Sequence, residues 1–424
     1  MFLFCADPDL VDVTRLVGNP QRGWDLRSIR SPQGLLAWDS NTFTKQTHSN
    51  GILRLEIGDH AGGEEPVCIF EWNLNDETIR FSRRWSGEFA IKYAVRPCAI
   101  VTSNLTFAAE ILRRRVALTQ LQPDRRADKQ LRGDSDFRIT AGPAPKRIVP
   151  ASYAETLKCV RERVTESVKS AAADSRDLLL SGGVDSSVIA AVAKEQGIRL
   201  RAFTFAVRSR VRQDPDDIDL KRAIQVAAFL DIPHTVIGIR PSTLRRNVPR
   251  AVQLAETCRG TIVDELAAHV EVARFLSSNG VRRVLTGEGA DDLFGAFPSA
   301  LRFFAATELK AHLRKELIEG LPDELALVQA IYSPGRIRLV HPFWTPELRA
   351  IGYHLPLRYR IDRSRLMKRV LRDAFRDLLP EDICLRPKGV PRECTPIRRT
   401  LEEAFGNSRE RYRDLFRNLW AGKR

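Results

Sequence analysis

The sequence predicts an α/β protein: a parallel sheet with helices on both faces, preceded by a β-rich domain. Two patterns carry that expectation. Between residues 177 and 286, short apolar runs alternate with helical patterns, and such βαβ alternation builds a parallel sheet that helices cover on both sides. Before residue 148, short alternating or apolar runs at 51–57, 67–72, 87–95 and 99–103 are broken by Gly, Asn and Asp clusters, as in a β-rich region.

Taken in order, 121–150 mixes Asp, Arg, Gly and Pro with little periodicity and reads as a surface connection. From 153 to 172, Leu157, Val160, Val164 and Val168 recur at spacings of three and four, which marks a helix with one apolar face. A short buried strand is expected at 177–180, then a Gly-rich turn and a helix over 186–196. Strand 200–207, helix 219–230, strand 235–239, helix 264–277 and strand 283–286 continue the alternation. The remainder, from about 299, is mostly helical in pattern with frequent prolines. A chain of 424 residues has room for two domains, at about 100–200 residues each. The boundaries expected are 1–148 and 149–424.

The composition, 43% hydrophobic and 29% charged, is that of a globular protein rather than a disordered or fibrous one. No apolar stretch approaches the roughly 18 residues that a membrane span needs, and the first residues lack the basic region of a secretory signal. The seven cysteines (5, 68, 98, 159, 258, 384, 394) include no Cys-x-x-Cys pair. That argues against structural zinc and a disulfide framework, and for a reducing, cytoplasmic setting. The net charge of +15 is spread along the chain with acids between, the pattern of a solvated surface, so nucleic acid is not the expected partner.

Leu180-Ser181-Gly182-Gly183-Val184-Asp185-Ser186-Ser187 lies where the first strand of the alternation meets its helix. Free backbone N–H groups and the positive end of the helix dipole gather there, which suits a phosphate. Gly182 and Gly183 let the backbone approach closely, and Ser181, Ser186 and Ser187 add hydroxyl donors. Asp185 would repel phosphate unless a cation stood between them, so its presence points to Mg²⁺. There is no Gly-x-x-x-x-Gly-Lys-Ser/Thr, which excludes a kinase-type phosphate loop. Ser-Gly-Gly-Val-Asp-Ser-Ser resembles the PP-loop of the ATP pyrophosphatases, with their adenine nucleotide α-hydrolase-like sheet, which cleave ATP between its α and β phosphates. Asparagine synthetase, tRNA-modifying enzymes, and GMP and NAD synthetases share that loop.

A second motif narrows the choice. Thr286-Gly287-Glu288-Gly289-Ala290-Asp291-Asp292-Leu293-Phe294-Gly295 follows the fourth expected strand, and loops at the carboxyl ends of parallel strands are where such sheets place ligands. Its three carboxylates are unsuited to a core. Together the two motifs resemble the asparagine synthetase family, whose usual second motif is Gly-Glu-Gly-Ser/Ala-Asp-Glu-Leu-Phe-Gly-Gly; Asp292 and Ala296 are small departures. The resemblance implies that Asp291 joins Asp185 on Mg²⁺ and that Glu288 is the catalytic acidic residue. It also places Leu180, Phe205, Thr286 and Gly287 with the PP-loop residues around ATP.

Lys368-Arg369-Val370-Leu371-Arg372, and then Arg386-Pro387-Lys388-Gly389, look like the family's C-terminal helix and Arg-x-Lys segment, so the resemblance puts Lys388 on the catalytic lysine. The chemistry fits the set. Adenylation and acyl transfer both build negative charge that a fixed lysine stabilises, and an attacking amine must lose a proton, which Glu288 would take.

The resemblance breaks at the N-terminus. Members that use glutamine carry a glutaminase domain with a Cys nucleophile at position 2, whereas here Phe2 stands there and Cys5 lies further in. Trp85-Ser86-Gly87-Glu88-Phe89-Ala90 is similar to the glutaminase Leu-Asp-Gly-x-Phe-Ala, with Ser86 replacing its substrate-binding Asp. Residues 1–148 are therefore expected to form a degenerate, inactive glutaminase-like domain. Val340-His341-Pro342-Phe343-Trp344-Thr345 stands where the family has Arg-x-Pro-Phe-Leu-Asp, which weakens the case for aspartate as substrate. The expectation is an ATP-dependent amide ligase acting on a small-molecule or peptide carboxylate, with ammonia or a substrate amine as nucleophile. A macrolactam-forming peptide cyclase, working with a biosynthetic partner protein, is the preferred form. An ammonia-dependent asparagine synthetase and a tRNA-modifying PP-loop enzyme are the alternatives.

Overall fold

The computed structural model describes the strands of residues 2–141 together with Asn50, and then residues 148–207, 217–295, 306–315, 321–362, 366–385, 396–406 and 412–420. The chain divides into two units. The first comprises Met1–Ala144, Ile318–Ala326 and Asp414–Arg424, and the second comprises Pro145–Leu317 and Leu327–Arg413.

In the first unit the strands are Phe2–Cys5 (β1), Leu26–Ser31 (β2), Gly34–Asp39 (β3), Lys45–Ser49 (β4), Ile52–Ile57 (β5) and Cys68–Asn73 (β6). Ile79–Arg83 (β7), Lys92–Ala94 (β8), Ile100–Thr102 (β9), Gln122–Pro123 (β10), Gln130–Arg132 (β11) and Asp136–Ala141 (β12) follow. They form two sheets in the orders β10-β8-β9-β1-β3-β2 and β11-β12-β7-β6-β5-β4. The last three strands correct the reading of 121–150 as a plain connection. Pairing across strands, not periodicity within them, orders these short segments.

The second unit holds a parallel sheet of Asp177–Leu179 (β13), Arg201–Val207 (β14), His234–Ile239 (β15), Arg283–Leu285 (β16) and Arg338–Val340 (β17). Its order is β15-β14-β13-β16-β17. The sequence reading found the first four; β17 is a correction, because Arg-Leu-Val is too short to show a period. The order matters for function. Strands are added outward from β13 on one side and from β16 on the other, so the loops that leave these neighbours part and open a crevice at their carboxyl ends.

Helices surround this sheet. Tyr153–Asp174 (α1) starts with a reciprocal cap between Ser152 and Glu155; of the expected stripe it buries Val160, Val164 and Val168, with Ala172 besides, while Leu157 is half-buried. Val184–Glu195 (α2) buries Val184 and the whole run Ser186–Ala193, so it is apolar nearly all round and packs as an interior helix. Ile218–Phe229 (α3) is capped by the Asp217 carboxylate, which accepts from the Leu220 N–H. Pro241–Ala255 (α4) is a helix that the sequence reading missed; Leu244, Val248, Ala251, Val252 and Ala255 form its buried face, but Pro249 inside it masks the pattern. Gly260–Ser278 (α5) follows and leads to β16. Among the described residues no helix is long and apolar enough to cross a membrane, and Cys159 and Cys384 are free thiols.

Candidate active site

The Gly-rich loop after β13 is shaped by its neighbours. Leu180 continues β13 by donating its N–H to the Phe203 carbonyl at 2.9 Å. The Thr204 hydroxyl donates to the Leu180 carbonyl at 2.5 Å and meets His234 Nε2 at 2.7 Å. With its one proton so committed, Thr204 accepts from His234, which fixes the Nε2–H tautomer; burial lowers the His234 pKa and keeps the ring neutral. Gly182 then turns at φ +71°, where a Cβ would lie 2.5 Å from the Ala223 nitrogen and 2.7 Å from the Asp219 carbonyl oxygen. Only glycine fits both the left-handed backbone and that contact with α3.

Gly183 caps α2, and the hydroxyls order the turn. The Ser181 N–H donates to Ser186 Oγ at 3.1 Å, the Ser181 and Ser186 hydroxyls lie 3.1 Å apart, and Ser187 Oγ donates to the Gly183 carbonyl at 2.7 Å. Phe205, beyond the end of β13 on the neighbouring strand, sets its ring 5.6 Å from His269 of α5.

The second motif closes on the first. After β16, the Thr286 N–H donates to the Val340 carbonyl at 2.9 Å, and its hydroxyl pairs with His341 Nδ1 at 2.8 Å. Desolvation holds His341 at about 4, a neutral ring, so it serves here as a structural partner. Gly287 lies against α2: a Cβ there would sit 2.9 Å from the Ser186 nitrogen and 3.0 Å from Asp185 Cβ. Glu288 is exposed, and its charge helps raise the pKa of the Tyr332 hydroxyl, for which burial is the larger cause. Tyr332 is fully buried at the end of Leu321–Tyr332 and pairs with His269 Nδ1 at 2.6 Å.

Ala290–Phe294 (α6) carries Asp291 and Asp292, and its carboxyl end is pinned by buried Arg360. Arg360 Nη1 donates to the carbonyls of Asp292 and Gly295 at 3.0 and 3.1 Å, and Nη2 to that of Gly352. Burial draws this guanidinium down to about 10.

Asp185 and Asp291, expected on a shared cation, do converge, and the group between them is Lys368. Its Nζ lies 2.5 Å from Asp185 Oδ2 and 2.6 Å from Asp291 Oδ1. Burial pulls the lysine pKa down, but the two carboxylates outweigh it and hold the ammonium above its ordinary value. Arg372 braces the segment: buried, it donates to the carbonyls of Met367 and Cys384. The sequence alone gives Lys368 no role beyond its place at the head of the C-terminal helix motif. The signal was there: a cation at the head of the helix Arg369–Ala374 opposes the dipole and calls for acidic partners. For Tyr332 and His269 no sequence signal exists. Lys388 lies outside the described residues, as do residues 386–395 around it and Ser86.

The site is thus a cradle of backbone N–H groups and hydroxyls beside two carboxylates on one cation. Among the described residues no cluster of three or more His, Cys, Asp or Glu is placed to hold a metal unaided. The lysine ammonium stands in for a cation there, and two carboxylates suit Mg²⁺, which takes its remaining ligands from water and substrate phosphates.

Residues 159–333 match the family model described as Asparagine synthase. The chain is 25% identical over 239 residues to asparagine synthetase B (glutamine-hydrolyzing) of Escherichia coli (strain K12), covering 54% of this chain and 43% of that protein. It is 27% identical over 233 residues to the nodule asparagine synthetase of Pisum sativum, covering 50% and 38%. A probable asparagine synthetase of Acanthamoeba polyphaga mimivirus is 27% identical over 242 residues, covering 54% and 42%. The match therefore spans less than half the length of these relatives. Among solved structures, NMN synthetase from Francisella tularensis aligns at 13% identity and a TM-score of 0.30, covering 64% of this chain and 94% of that chain. Residues 159–333, in which both motifs meet at one crevice of the parallel sheet, are thus similar to the asparagine synthetases and match their family model.

Proposed function

We propose that this protein adenylates a carboxylate with ATP, releasing pyrophosphate, and transfers the acyl group to an amine, without drawing nitrogen from glutamine. The observation that carries the reading is the convergence of Asp185 and Asp291, from the loops after β13 and β16, on one cation position beside the Ser181–Ser187 cradle. Mg²⁺ held there would offset the charge of the departing pyrophosphate. The backbone around Gly182 and Gly183, with the hydroxyls of Ser181, Ser186 and Ser187, would hold the phosphates, while Leu180, Phe205, Thr286 and Gly287 line the nucleotide side.

Glu288, exposed at the crevice, takes the proton of the attacking amine, and Lys388 stabilises the oxyanion of the tetrahedral intermediate. Residues 1–148 act as a glutaminase-like domain without glutaminase activity, a reading supported by Ser86 at the position of the substrate-binding Asp.

The amine comes from the substrate itself, and the preferred form is a macrolactam-forming peptide cyclase. The Val340–Thr345 segment supports this, since it lacks the Arg and Asp of the aspartate-using pattern and His341 is committed to Thr286. The test is mass spectrometry of linear peptides bearing a free amino terminus and a side-chain carboxylate, incubated with ATP and Mg²⁺. Loss of one water with release of AMP is expected. Asparagine formed from aspartate and ammonia, with no peptide turned over, would replace this reading by an ammonia-dependent synthetase.

A further inference from the structure

Lys368 sits where it is locally unfavourable. It adopts φ +63°, a left-handed conformation that L-residues with a Cβ rarely take. It stands at the head of a helix, whose dipole repels cations. Its side chain is 4% exposed, and its stem runs past Gly295, where a Cβ would come within 3.3 Å of Lys368 Cγ. Such a position is kept only if the charge is needed where it ends, between Asp185 and Asp291.

We propose that Lys368 is the resting counter-ion of the metal site: its ammonium holds the cation position between Asp185 and Asp291 while nucleotide is absent, and a divalent ion enters only as that ammonium leaves. The inference rests on the metal-site reading above. At 2.5 and 2.6 Å from the two carboxylates, the ammonium and a metal ion exclude one another. A buried ammonium does not leave into nothing, since an unpaired charge in such a place is strongly unfavourable. It needs a new anion, and the triphosphate of the nucleotide supplies one. Metal and nucleotide therefore bind together, and the empty enzyme holds little metal.

Mn²⁺ binding, read by electron paramagnetic resonance with and without the α,β-methylene analogue of ATP, tests this on the full chain. Wild type is expected to bind Mn²⁺ at least ~10-fold more weakly without the analogue than with it. Lys368→Met, similar in length but uncharged, is expected to bind Mn²⁺ alone at least ~10-fold more tightly than wild type, and Asp185→Asn on that background to remove the gain. Equal affinity of wild type and Lys368→Met for Mn²⁺ alone overturns the exchange while leaving the metal site standing. Failure of every protein to bind Mn²⁺, even with the analogue, overturns the metal site itself and the inference with it. Should Lys368→Met not fold, Lys368→Gln replaces it. Wild type also decides by itself, because a Mn²⁺ affinity that the analogue does not change contradicts the proposal.

Discussion

Substitution of Gly287 by Ala probes whether the two motifs form one site. The new Cβ would lie 2.9 Å from the Ser186 nitrogen, 3.0 Å from Asp185 Cβ and 3.3 Å from the Asp185 carbonyl carbon. Ordinary contacts begin near 3.4 Å, and none of these atoms is the far end of a flexible side chain, so the loops must separate by several tenths of an ångström. Overpacking of this kind costs about 1–3 kcal/mol. The strands beneath are tied in register, Leu178 to Leu285, so the loops yield first and Asp185 moves away from Asp291. Nucleotide affinity, measured by isothermal titration with a non-hydrolysable ATP analogue, should fall by roughly 5- to 150-fold, which is that energy converted to binding. Gly197→Ala is the control. Gly197 has φ +70° with no atom within 4 Å, so its substitution strains the backbone without touching the site. It should lose stability and keep nucleotide affinity. Normal affinity in Gly287→Ala would refute the juxtaposition.

Three further outcomes are expected. Glu288→Gln should lower single-turnover amide formation by roughly 10²–10⁴ with little change in ATP binding, and normal turnover would remove Glu288 from the proton transfer. Lys388→Ala should cost on the order of 10²–10³ in turnover; near-normal turnover would make the C-terminal match coincidental. His269 and His341 are held at about 4 by desolvation, whereas in the unfolded chain they titrate near about 6.5. The unfolded state therefore binds the extra protons, so their contribution is complete above the unfolded value and is lost as pH falls towards 4, by at most about 1.4 kcal/mol per pH unit for each. A melting temperature that stays flat from pH 7 to 5 would contradict this.

The sheet that frames the site was legible where each strand carried a run of apolar residues and each motif carried unusual residue types. Ser181-Gly182-Gly183 and Gly287-Glu288-Gly289 are such segments: glycines and polar groups at a strand end have few other uses. The family resemblance paired Asp185 with Asp291, and both lie against the Lys368 ammonium. What escaped was non-local. β17 exists because Arg338–Val340 pairs with β16, not because three residues show a pattern. Pro249 hid α4, whose buried face is otherwise regular. The Thr204–His234 pair and the His269–Tyr332 pair join residues 30 and 63 positions apart, and nothing near either residue announces its partner. Lys368 lay in plain view, at the wrong end of a helix, but its role needed both carboxylates to be placed first.

Cleavage of ATP between its α and β phosphates, to activate a carboxylate, is the chemistry proposed for this crevice. The most direct test is to incubate the purified protein with [α-³²P]ATP, Mg²⁺ and a panel of peptide and amino-acid carboxylates, and to separate the labelled products. Carboxylate-dependent release of labelled AMP with stoichiometric pyrophosphate is expected, lost in Asp185→Asn and Asp291→Asn. Labelled ADP with inorganic phosphate would contradict it.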